Sequence, residues 1–292
     1  MLTHRSLLLA GSPVSRYNAN MQDDKRYFPK LDSVSVLAAT ILLAYALTHF
    51  VSIPPTKIEL QVVGIYISLT LDFSTIIAVL ITGLTATGAA WLLSDYPQLE
   101  WVNSVQHWLL PSLTALVLWL AIEQLPFGGQ WWIAASVSSI VLMLVLIAEY
   151  ILVNYNNPYY IPASIGVTAI SLVLYFILAM ALHSAEVRLF FRVPALSFAA
   201  GLVLLRIVHL RTHGKWAIRQ ALLTLLLTGE LVAGLHYWPL DSVSFGIALL
   251  GPIYALIELS ENFLDPQSKT SFQMILRPAL VLVITWGFAF LL

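Results

Sequence analysis

Ionisable side chains that fall inside long apolar runs are the residues of this 292-residue chain with the most chemistry to offer. Glu230 is the sharpest of them. It stands about fourteen residues into a run from roughly 216 to 237, some 20 Å from the inner end of that run at 1.5 Å per residue. A carboxyl at that depth is protonated by desolvation, paired, or turned toward a wet cavity. As chemistry it would be a proton or cation site; as structure, a hydrogen bond between two helices.

A second constellation follows Gly251-Pro252, where the proline ring is expected to interrupt a helix and free backbone carbonyls. Past it, Glu258, Glu261 and Asp265 stand at i, i+3 and i+7, on one helical face. Carboxylates in last turns oppose the helix dipole and require cations. Arg206, Arg211, Lys215 and Arg219 on the neighbouring runs supply them. The pattern predicts a substrate- or ion-binding vestibule of Glu230, Glu258, Glu261, Arg206 and Arg219, with Arg211, Lys215 and His213 meeting lipid head groups. Its bland counterpart is a salt-bridge network at the membrane rim.

His209 and His213 are spaced i, i+4, as two imidazoles on one metal would be, but His49, His107, His183 and His236 are scattered along the chain. No metal site, cofactor or catalytic residue is assigned. Glu123 and Glu149 lie near run ends and read as interfacial. No Gly-rich phosphate loop, nucleophile elbow or His-Glu-x-x-His motif occurs. With no cysteine, thiolate sites, disulfides and palmitoylation are excluded.

The elements that must position these residues follow from composition. The chain is 59% hydrophobic and 10% charged, and its mean hydropathy is +0.85. Soluble domains carry about 45–50% and about 25%. The bilayer is therefore the solvent, and a net charge of −1 without basic blocks argues against nucleic-acid binding. Runs of about 20 apolar residues fall at roughly 34–53, 73–94, 107–124, 131–154, 161–184, 190–209, 216–237, 243–264 and 273–292. This predicts an all-α polytopic bundle with about nine spans in residues 33–292, behind a polar cytoplasmic tail, 1–32. Pro162, Pro194 and Pro278 are expected in first turns, where a missing N–H is harmless.

Residues 57–72 differ, because Glu59, Gln61, Tyr66, Ser68 and Thr70 alternate with apolar side chains around Gly64. A period of two predicts a strand pair or extended outer segment over the bundle. With the N-terminus cytoplasmic, the inner side collects eleven Lys and Arg and the outer side three, Lys57, Arg188 and Arg192, which places the C-terminus outside the cell membrane. Trp131, Trp132, Tyr237 and Trp238 then form an outer aromatic belt. Weak similarities, such as Leu-Ile-Thr-Gly at 80–83 and Leu-Leu-Thr-Gly at 226–229, raise an inverted repeat of spans one to four and six to nine.

Three functions fit. A small secondary transporter of a polar solute or proton is favoured; a membrane enzyme acting on lipid or lipid-linked substrate, and a non-catalytic subunit of a membrane complex, stay open. Membrane lipids are partners in every case.

Overall fold

The computed structural model describes residues 28–51, 54, 56–62, 65–71, 73–94, 101–212, 214–264 and 271–291. Most of the polar tail, together with His213, Asp265 and Lys269, lies outside the described residues. Nine helices are seen among the described residues: α1 (Leu31–Phe50), α2 (Phe73–Leu93), α3 (Trp101–Glu123), α4 (Gly129–Leu152), α5 (Tyr160–Ser184), α6 (Leu189–Arg211), α7 (Ile218–His236), α8 (Ser242–Leu264) and α9 (Ser271–Leu291). Eight are long and apolar enough to cross a membrane; in α3 the apolar stretch, His107–Glu123, is shorter. Helices are the required answer for such runs, since in lipid each backbone N–H and C=O must be satisfied within the segment. Between α1 and α2, β1 (Thr56–Val62) pairs antiparallel with β2 (Ile65–Leu71), Lys57 opposite Thr70 and Gln61 opposite Tyr66.

The bundle has two apolar cores. One joins α1 and α2 to α3 and α4 through Val34, Ile41, Ile81, Trp131 and Leu142; the other runs from α3 to α9 through Leu174, Leu196, Leu204, Phe245 and Leu249. Trp131 is completely buried, packed edge-on to Trp132 with ring centroids 4.9 Å apart, so it faces the first core and not the lipid. Helix α6 is the axle of the second core. It packs on α3, α5, α7 and α8, and 67% of its apolar window is buried, against 11% for α9. The packing of α1 on α4 has no comparable counterpart between α6 and α9 among the described residues, although the repeat would pair them in the same way.

Helix α8 continues through Pro252, contrary to the expected interruption. The reason lies on α9. Pro252 cannot donate to the carbonyl four residues back, Ala248, and the Trp286 indole N–H donates to that oxygen instead at 3.1 Å. The exchange is mutual. Pro278 stands eight residues into α9, not in its first turn, and frees the Met274 carbonyl, which accepts from the Asn262 side chain of α8 at 3.2 Å. Gly251 lets the helices close to this distance, because a Cβ there would collide with Thr285. Pro194 likewise falls sixth in α6, past its first turn, because that helix starts at Leu189.

Candidate functional site: two ends of one helix

Helix α6 carries Arg192 near its start and Arg206 near its finish, about 21 Å apart at 1.5 Å per residue. Both are almost wholly buried, 3% and 4% exposed. Spans α5, α6 and α7 follow one another through short connections, so chain ends from neighbouring helices gather around each arginine.

At the Arg206 end the charge is answered. The guanidinium makes a forked contact to Glu149 of α4, Nε donating to Oε1 at 3.1 Å and Nη2 to Oε2. His107 of α3 donates from Nδ1 to Glu149 Oε2 at 2.8 Å. All three side chains are buried, and the space beside them, lined by Leu109, Leu202, Leu205, His209 and Trp216, is small and apolar. A carboxylate gripped by an arginine fork and an imidazole N–H joins α3, α4 and α6; the Arg206 Nη1 is buried without a hydrogen-bond partner, so the carboxylate is what sets this end apart. The sequence carries no signal for Glu149 and His107 as partners; a glutamate five residues from the end of an apolar run is indistinguishable from an interfacial one.

Further along the same end, Arg211 reaches Glu261 at 2.9 Å and Glu258 at 3.9 Å, and the Tyr254 hydroxyl donates to Glu258 at 3.3 Å. Lys215 donates to the Leu264 carbonyl at 3.3 Å, at the last residue of α8. The anticipated juxtaposition of Glu258 and Glu261 with cations thus involves Arg211 and Lys215. Arg206 is drawn to Glu149, and Arg219 stands exposed in the first turn of α7. Glu230 also stands apart. Thr224, Thr228, Val232 and Leu235 form the buried stripe of α7, and a residue two positions from both Thr228 and Val232 points to the opposite face. Glu230 is exposed there, while the Gly251-Pro252 turn packs on α9, so the two do not line a common cavity. His209 sits under Trp216, with ring centroids 4.9 Å apart, and among the described residues no group of three His, Asp or Glu side chains could hold a metal ion.

At the Arg192 end the charge is not answered by a carboxylate. Its Nη1 lies 3.3 Å from His183 Nδ1 and 3.2 Å from His236 Nδ1, on α5 and α7. A guanidinium only donates, so both imidazole nitrogens accept. The other nitrogen of His183 is 3.1 Å from the Leu240 carbonyl, which requires an Nε2–H and makes this ring neutral. Phe245 completes the nest, stacked on His183 and 5.8 Å from the Arg192 Cζ. Among the described residues no carboxylate forms an ion pair with Arg192, and its Nε is buried without a hydrogen-bond partner. Arg192 lies at an open depression whose walls include His183, His236, Glu186, Trp238 and Asp241. Asp241 is engaged as the N-cap of α8, accepting from the backbone N–H groups of Val243 and Ser244 at 3.3 and 3.1 Å.

Residues 53–292 match a family described as protein of unknown function (DUF5656), and the chain belongs to it. The class defined by fold and comparison together is a multi-pass helical membrane protein of that family. No curated protein matches the chain, and no solved structure does.

Proposed function

We propose that the protein is a small permease that admits a polar solute at the Arg192 end and is locked shut at the Arg206 end. The observation that supports this is the asymmetry of α6: one buried arginine borders an open depression, and the other is paired with Glu149 and His107 beside a small apolar space. A carrier working by alternating access needs such a pair, one end open while a breakable contact seals the other. A forked arginine–carboxylate contact suits the seal, because it is stable when dry and loses its advantage once water enters. By the Lys and Arg distribution, the open end faces outward and the seal faces the cytoplasm, with the N-terminus inside. The β1–β2 hairpin then lies on the outer side, and the Arg211–Glu261 contact and Lys215 lie at the inner head-group level.

The purified chain reconstituted in vesicles tests the reading. It should take up at least one labelled solute from a panel of phosphate, succinate, glutamate and glucose faster than empty vesicles do. Glu149→Gln should change the ratio of exchange to net uptake. Absence of uptake for the whole panel, with a folded chain, overturns it. A second reading, a subunit of a membrane complex, draws on α9, which packs mainly on α8 and leaves most of its apolar surface free. Co-purification of a stoichiometric partner through α9 would favour it.

A further inference from the structure

The positive charge of Arg192 is held at 3% exposure with two imidazole nitrogens and an aromatic ring as its neighbours. None of these carries a negative charge when His183 is neutral. Burying an ion without a counter-ion costs several kcal/mol, so a retained one marks a place where a counter-ion arrives from outside. We infer that the Arg192 depression binds a phosphate group. Arg192 meets it from α6, and Arg188 and Ser242 line other walls of the same depression. A tetrahedral group with several acceptor oxygens can use donors from different directions, whereas a planar carboxylate is satisfied by one guanidinium edge. The carboxylates near the depression do not replace it. Asp241 is spent on the α8 N-terminus, and Glu186, exposed in the α5–α6 turn at a φ of 49°, acts on the Arg192 guanidinium only through space and makes no ion pair with it among the described residues.

The phosphate has two possible sources. Leu189 also borders an apolar groove formed by Phe190, Phe191, Val193 and Pro194, directly beside the depression. A lipid phosphate would lay its chains along that groove; a free phosphate would use the depression alone. The inference deepens the permease reading, on which the ligand's onward passage rests, while binding is measurable without transport.

The test uses the full chain in nanodiscs of phosphatidylcholine, titrated with inorganic phosphate, and in parallel nanodiscs containing phosphatidic acid, with binding read by calorimetry and by the shift in unfolding temperature. Saturable binding of phosphate, stabilisation by phosphatidic acid, or both is expected, and the responding arm identifies the source. Arg192→Lys keeps the charge but loses the fork and should weaken binding at least tenfold; Arg192→Gln should abolish it. Arg277→Gln, an exposed arginine on α9, should leave it unchanged. Absence of saturable binding in both arms, equal affinity in folded Arg192→Lys and Arg192→Gln, or tighter binding of succinate than of phosphate would overturn the inference. Binding without vesicle uptake would remove the permease reading and leave the site standing. Uptake indifferent to Arg192 would do the reverse.

Discussion

Arg192 and Arg206 lie on the same face-burying helix, are equally hidden from solvent, and yet stand in opposite electrostatic situations. Arg206 shares a carboxylate with His107 and closes three helices together. Arg192 is surrounded by neutral rings and borders open space. The difference teaches that depth of burial does not by itself separate a structural charge from a functional one. The local charge balance does, because a compensated ion is already at its minimum and an uncompensated one is a standing attraction for a partner.

Four substitutions sharpen or break the comparison, each read as a change in unfolding free energy in mild detergent. The largest effect is expected at the sealed end. Arg206→Met leaves Glu149 buried without its cation and should destabilise by about 3–5 kcal/mol, with Glu149→Leu/Arg206→Met together recovering most of that loss. Additive single and double effects would show that the two do not act as a pair. Trp286→Phe removes an uncharged answer to a buried polar group, the bond to the Ala248 carbonyl, and should destabilise by about 1–3 kcal/mol. Arg211→Gln touches a contact that is partly exposed on both sides, and should shift stability by less than about 1 kcal/mol. Smallest of all, Arg192→Met should be within about 1 kcal/mol of neutral, or stabilising, since no carboxylate is orphaned by it. A loss at Arg192 as large as that at Arg206 would erase the distinction drawn here.

Much of the scaffold is legible in the chain because a membrane helix is a local object. Twenty apolar residues in a row announce it whatever packs alongside, which is why eight of the nine runs reappear as helices within three residues at either end, while α3 starts six residues before its run, at Trp101. The site is legible only in part. Glu258, Glu261 and Arg211 sit in the last turns of helices that flank one end, with Lys215 in the α6–α7 connection, and proximity of ends was enough to bring them together. Glu149 and His107 are 42 residues apart, and Glu149 and Arg206 57, with nothing in the intervening residues to couple them. His183 and His236 gave no signal either, being single histidines at run ends that meet only because α5 and α7 both flank α6. Glu230 shows the converse limit. Depth along a run was readable, but the direction around the helix was set by the Thr224, Thr228, Val232 stripe that chose the packing face.

Composition and run length alone determined the solvent and the apolar helical runs of the described residues, since transfer of apolar residues into hydrocarbon depends only on what each residue is. The tertiary fold decided which proline is healed by a neighbouring side chain, which arginine finds its carboxylate and which is left facing an open mouth. Those outcomes depend on which helix faces meet, and that is a property of the whole bundle that no single segment carries.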